Sequence, residues 1–392
     1  MLENRKKQLP LLATSHGLNH VNQLLVPVIA PELIGEFGES SAGLFVWCFL
    51  LSYSLLPAVS GYLTQRFGRR RLLATGFTIS AACFVAISLT DNIVILALLF
   101  FVAGAAGSTY HPSGFPILAE AYQGNRGRTL GLHQAGGAIG SIIGPVLTGL
   151  MVAGFAWRST MMLIAIPGLV LSAVLWFSID DQPTPVDPIA KPSRRINLKY
   201  LSVYSSVVLF LLASFFYVLG QRGTDAFANV YFTYGRGLQI VEASFLFSAL
   251  KLAGLFSAPV CGKLSDSYGR KKILVALVVL ESVSLYAITA LPEAILVLPC
   301  VTFGFASFGL LTVGEALLAD IAPDKQRGAI FGLSLTINFA PYIFLPPILF
   351  AMSSVYGFSL GFIILSGLML VSIPLILKIG NRPSRISADV VG

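Results

Sequence analysis

The chain has 392 residues, of which 55% are hydrophobic and 11% charged, against about a quarter charged in an ordinary soluble domain. A mean hydropathy of +0.81 means more apolar surface than one or two cores could bury, which excludes a soluble globular protein with large extramembrane domains and makes lipid the solvent. The formal charge of +8 sits between apolar runs, so a membrane-facing balance is expected and no nucleic-acid partner.

The basic opening, Arg5, Lys6 and Lys7, precedes an apolar run that holds His16, Asn19, His20 and Gln23 and lacks a cleavage site, so it reads as a retained first span. Runs of about 20 apolar residues predict spans at 9–34, 41–63, 72–90, 93–122, 129–153 and 159–179. A polar, Pro-rich stretch follows. Six more spans are predicted at 201–231, 240–262, 273–291, 294–321, 329–352 and 358–379. The expected division is an N-terminal six-helix bundle over 1–180, a cytoplasmic linker over 181–199 and a C-terminal six-helix bundle over 200–392. Alternating the loops puts 22 of the 26 Lys and Arg residues on one side, so the positive-inside rule places both termini in the cytoplasm. Cys48, Cys83, Cys261 and Cys300 fall inside apolar runs without C-x-x-C spacing and read as buried small hydrophobes.

The halves repeat one another. Gly61-Tyr-Leu-Thr-Gln-Arg-Phe-Gly-Arg-Arg-Arg71 matches Gly262-Lys-Leu-Ser-Asp-Ser-Tyr-Gly-Arg-Lys-Lys272 at an offset of 201 residues, and Leu118-Ala-Glu120 is echoed by Leu318-Ala-Asp320. This motif between spans two and three, with a degenerate copy between spans eight and nine, resembles the signature of the major facilitator superfamily. That resemblance implies an all-α membrane protein with twelve transmembrane helices in two pseudo-symmetric six-helix bundles. It also implies a cytoplasmic gate at Gly61, Gln65, Arg66, Gly68 and Arg69 and at Gly262, Asp266, Gly269 and Arg270. Gln65 stands where the family usually has Asp, which weakens the first latch and leaves more of it to Asp266.

Span five carries Gly131, Gly140, Gly144, Pro145, Thr148 and Gly149, similar to the family's antiporter signature. Small residues four apart let helix backbones approach and a Pro bends a span, so this helix is expected to be a hinge or a tight packing face. Ser15-His16, Leu18-Asn19, Tyr110-His111-Pro112 and Gln134 with Gly136-Gly137 resemble one subgroup, the fosmidomycin-resistance type of proton-driven exporter. Export is what these resemblances imply.

All four histidines, His16, His20, His111 and His133, fall in spans of the first half. His16, Asn19, His20 and Gln23 form one helical stripe that must face protein or a wet cavity. At ~1.5 Å per residue the four histidines lie between the inner mouth and the midplane, where substrate sites of this fold lie. Histidine titrates near neutrality, so loading and unloading a proton on alternate sides is the expected coupling step. Plain packing competes with it, and a metal site from the four histidines ranks last because no carboxylate or Cys shares the region; no metal is assigned.

In the second half Arg222 and Asp225 are expected to pair near the outer end of span seven, as part of a gate or outer vestibule. Tyr217, Gln221 and Thr224 form another polar stripe on that span, and Asp225 is the best acidic proton carrier of this half. Lys251 and Glu281 lie at similar depth and are expected to pair, unless Lys251 faces an anionic substrate. Glu315 and Asn338 are open between packing and cavity lining. There is no P-loop, zinc-peptidase motif or nucleophile elbow, so neither ATP, a cofactor nor an enzymatic reaction is expected. The sequence points to a monomeric, multi-pass inner-membrane transporter whose partners are a small-molecule substrate, protons and the lipid bilayer. Its expected task is proton-coupled export of a small organic molecule. Uptake of a small organic anion is the alternative, and a non-transporting sensor or scaffold is the more distant one.

Overall fold

The computed structural model describes residues 2–122, 125–179, 205–323 and 326–380, apart from the side chains of 2–7 and Arg126. The basic residues at 5–7, the linker at 181–199, Lys325, Arg382 and Arg385 therefore lie outside the described residues or side chains. Among the described residues, ten helical stretches are long and apolar enough to cross a membrane. Two of them, Gln8–Leu55 with 48 residues and Gly127–Ser178 with 52, would each run over about 70 Å if straight, more than twice a ~30 Å hydrocarbon layer. Each is broken by a non-helical residue, Gly38 (φ 80°, ψ 164°) in the first and Ala156 (φ 60°, ψ 164°) in the second, where the chain reverses.

Twelve spans result. We number them α1 (2–37), α2 (39–67), α3 (69–88), α4 (93–121), α5 (126–155), α6 (157–178), α7 (205–235), α8 (240–268), α9 (270–290), α10 (297–321), α11 (327–356) and α12 (358–378). The fold is thus all-α, as expected, with two repeated six-helix bundles. Several spans are broken inside: α2 before Pro57, α4 at Ser108 and Thr109, α8 at Ala253 and α11 at the tight turn Ala340–Ile343. These breaks free backbone groups at membrane depth, which is tolerated only against protein or a wet cavity.

The same devices hold both halves together. Ser52 Oγ donates to the Phe101 carbonyl at 2.7 Å between α2 and α4, and Ser257 Oγ to the Phe305 carbonyl at 2.5 Å between α8 and α10. Gly104 lies on the Phe49 carbonyl, and Gly304 on the Leu250 carbonyl, so closely that a Cβ at either would collide with it. Thr78 and Ser172 join α3 to α6, and Ser282 with the Ser366 carbonyl joins α9 to α12. Small residues and interhelical hydrogen bonds replace the hydrophobic effect, which lipid cannot supply. The short links α2–α3 and α8–α9 turn at Gly68 (φ 89°) and Gly269 (φ 95°), 201 residues apart, in backbone that side chains rarely adopt.

Contacts between the halves gather at one end, the end away from the basic loops. There Asn229 Nδ2 donates to the Val28 carbonyl at 2.7 Å, Tyr234 to Pro31 at 3.2 Å, Trp47 to Ile343 at 2.7 Å, and Ser353 to Glu39 at 3.1 Å. Gly149 of α5 packs on Ser244 of α8, and Gly43 of α2 on Phe350 of α11. These residues all belong to the halves of their spans remote from the basic loops, so the structure is closed at that end.

Candidate functional site

Two polar clusters face the seam between the halves. The first is built on α1, α4 and α5. His16 and His20 are one turn apart on α1, with Nε2 atoms 3.2 Å apart. His16 stacks on His133 of α5 at 4.3 Å between ring centroids and places Nδ1 3.0 Å from the His133 carbonyl. His111 follows the break in α4 and meets His16 edge-on at 5.2 Å and His20 at 6.0 Å.

Tyr110 completes this cluster. Its hydroxyl donates to the Leu12 carbonyl at 2.5 Å, so its oxygen accepts from His133 Nε2 at 2.8 Å, and His133 Nδ1 is left buried with no partner. The glycines of α5 make the close approach possible. A Cβ on Gly137 would strike the His16 ring, one on Gly136 the Ala13 carbonyl, and one on Gly140 the Gly17 carbonyl, while Gly144 lies on Val21. The glycine motif is therefore the face on which α1 and its histidines sit, and Gly149 extends it to α8. Gly131 takes no part in that face, since nothing lies near its Cβ position. Pro145 sits inside the helix.

The second cluster is built on α7, α8 and α11. Asp225 pairs with both Lys251 and Arg222 and accepts from the Tyr342 hydroxyl at 2.9 Å. Arg222 Nε donates to the Asn338 carbonyl at 2.9 Å, and its guanidinium lies over the Phe339 ring at 4.8 Å. Two cations thus share one carboxylate among aromatic rings. The clusters face each other: Lys251 is within electrostatic range of His20, and Arg222 of Tyr53, which accepts from Asn19 Nδ2 at 2.9 Å.

Two expectations are overturned here. Lys251 does not pair with Glu281 but with Asp225, because equal depth along two spans says nothing about which faces meet. Glu281 is wholly buried; Ser307 Oγ donates to its Oε1, Gln221 Nε2 donates to the Ser307 carbonyl at 3.3 Å, and Glu281 Oε2 has no hydrogen-bond partner among the described residues. Arg222 and Asp225 also do not sit at an outer gate. A wide turn at Tyr231–Gly235 prolongs α7 beyond the expected end, so Asp225 is ten residues from Gly235 and Lys251 eleven from Ile240. Both are about 15 Å from that end of the span, near mid-depth.

The remaining residues sort by burial. Gln23 is buried beside His20, while Tyr217 and Gln221 are buried near Glu281. Asn338 is buried with Oδ1 unpartnered. Gln134 and Glu315 are exposed and are not drawn into either cluster. Three cysteines are buried and Cys48 is half-buried; all are free. At the basic end Arg69 pairs with Glu120 at 2.6 Å, while Arg270 meets Asp266 at 2.9 Å and Asp320 at 2.5 Å. Gln65 and Arg66 are exposed, Gly61 faces Pro112 at 3.9 Å from its Cβ position, and Gly262 has open space about it. Tyr53, Ser307 and Tyr342 join these clusters without a motif that singles them out. Tyr342 had a signal, one turn beyond Asn338 on the same stripe; Tyr53 and Ser307 depend on which helices meet.

The sequence profile described as Major Facilitator Superfamily matches residues 12–310 and again 210–390. The chain belongs to that superfamily. As a superfamily member it is a multi-pass membrane transporter. It is similar to the fosmidomycin resistance protein of Escherichia coli (strain K12), 27% identical over 67% of this chain and 66% of that one. The multidrug resistance protein MdtG of Escherichia coli is 24% identical over 86% and 85%. Among solved structures, the nucleoside transporter NupG superposes with a TM-score of 0.81 at 14% identity over 95% of this chain and 99% of that one. A bacterial homologue of the lysosomal transporter Spinster, titled inward-facing and unoccupied, gives 0.77 at 14% over 97% and 99%. These superpositions speak for the fold.

Proposed function

We propose that this transporter exports a small organic molecule in exchange for protons by alternating access, with the bundles 1–180 and 200–392 rocking about the seam. It works as a monomer in the inner membrane with both termini in the cytoplasm, which makes the basic end the cytoplasmic one. The contact between His16 and His20, joined to His111 and His133 and set opposite Lys251 and Asp225, carries this reading. Four titratable rings in one connected cluster can accept a proton when the seam opens to one side and release it on the other. Asp225, Arg222 and Lys251 are the groups on which substrate binding and proton release meet. The names of the fosmidomycin and multidrug resistance relatives support the export direction.

The surplus of one positive charge at Arg222 and Lys251, lined by Phe339 and Tyr342, favours a second reading, uptake of a small organic anion. Purified protein in liposomes loaded with a pH dye distinguishes the two. Export by exchange is supported when added drugs or metabolites evoke proton movement opposite to their own. Proton movement in the same direction as the substrate overturns export and supports uptake.

A further inference from the structure

His16, His20 and His111 each offer one ring nitrogen, and the three nitrogens lie within 4.8 Å of one another. Imidazoles on a tetrahedral ion at ~2.05 Å set their nitrogens roughly 3.3 Å apart. The His16–His20 edge, at 3.2 Å, already has that length, and the His111 nitrogen has to move in from within 4.8 Å to close the face. The two α1 histidines stand at i and i+4, the spacing that puts a pair of ligands on one helix face.

The His133 carbonyl can only accept, so His16 Nδ1 carries the hydrogen and Nε2 presents its lone pair. His20 Nε2, 3.2 Å from that lone pair, carries the hydrogen between them. Moving that hydrogen to His20 Nδ1 turns both Nε2 lone pairs to one point, an arrangement that binds a cation. Donating the second ring nitrogen to a carbonyl or amide is how metal-ligating histidines are held. His20 and His111 are only half-buried, so the fourth side of the face is open. An all-imidazole set suits Zn2+, Cu2+ or Ni2+ rather than Mg2+ or Ca2+. Of the neighbouring groups, His133 is engaged by Tyr110, and Asp225 offsets one of the two cations, Lys251 and Arg222, across the seam.

We propose that His16, His20 and His111 form a three-histidine site for a divalent transition-metal cation of the Zn2+ class, with its fourth position open to the seam. An occupied site has no ring nitrogen free at Nε2, so the ion inhibits coupled transport; that consequence, though not the binding, rests on the proton-exchange reading above.

The test uses tag-free, full-length protein in detergent, titrated with Co2+ while the visible spectrum is followed. One saturable tetrahedral Co2+ per chain, displaced by Zn2+, is expected, with affinity falling as pH is lowered because protons compete for the rings. Replacing His20 or His111 by Ala should weaken binding on the order of 100-fold, while Cys48→Ser should leave it unchanged. X-ray absorption on the Zn2+-loaded native chain needs no variant: a shell of imidazole nitrogens near ~2.0 Å supports the site, and a sulfur shell near ~2.3 Å overturns it. Absence of saturable binding, or full binding in both histidine variants, also overturns it. Proton-coupled transport without metal binding defeats this inference alone; metal binding without proton coupling defeats the exchange reading alone.

Discussion

The two halves share a backbone and differ in the chemistry hung on it. In the first half the seam carries titratable rings, His16, His20, His111 and His133, stacked or packed edge to face on α1, α4 and α5. In the second it carries fixed charges, Arg222 and Lys251 about Asp225. Positions 201 residues apart make the contrast plain: His16 and His20 correspond to Tyr217 and Gln221, which surround Glu281 instead of one another. The lesson is a division of labour, with a half that changes protonation facing a half that holds charge in place.

The largest effect should come from the first half. Replacing His20 or His111 by Ala is expected to lower proton-driven export on the order of 100-fold, as loss of a proton-transfer group does, measured as dye-reported flux in liposomes. Unaltered flux in both variants would remove the histidines from the coupling role. Next is the charge cluster. Asp225→Asn leaves two cations at mid-depth with no carboxylate, and breaking a buried pair costs about 3 kcal/mol or more, so its melting temperature in detergent should fall well below that of a His20→Ala variant. Equal melting temperatures would mean the second half is not a charge scaffold.

A smaller effect compares the two reversals. Ala156 holds φ 60° where the corresponding residue 201 positions on, Gly357, holds φ 83°. A side chain in that region costs about 1–3 kcal/mol, so Ala156→Gly should stabilise the protein and Gly357→Ala destabilise it, by ~1 kcal/mol each in thermal melts. The smallest concerns the basic end. Arg270 has Asp266 and Asp320, whereas Arg69 has Glu120 and an exposed Gln65. For such exposed pairs about 0–1 kcal/mol is expected, so Gln65→Asp should add a few tenths and Asp266→Asn remove a similar amount. A larger loss from Asp266→Asn would show that the pair latches the gate rather than decorating it.

Much of this architecture is legible in sequence because the bilayer imposes one rule, about 20 apolar residues per crossing, and because the repeat preserves Gly68 and Gly269 where the turn needs them. The histidine cluster is also legible, since His16 and His20 share a helix stripe and no polar stripe can face lipid. The partners of Lys251 and Glu281 are not, because depth along a span is a one-dimensional coordinate and pairing depends on helix rotation. The depth of Asp225 is hidden for a related reason: the extra turn through Tyr231–Gly235 carries Thr233 and two tyrosines but no charge within it to mark it.

The division of labour is tested most directly by measuring two activities on one variant. His20→Ala protein in liposomes is assayed for proton-driven transport and, at equal pH on both sides, for exchange of labelled against unlabelled substrate. Loss of the driven transport with exchange retained is the expected result, because the rings carry the proton while Asp225, Arg222 and Lys251 remain in place. Equal loss of both activities would contradict it and make the histidines part of the substrate's own binding surface.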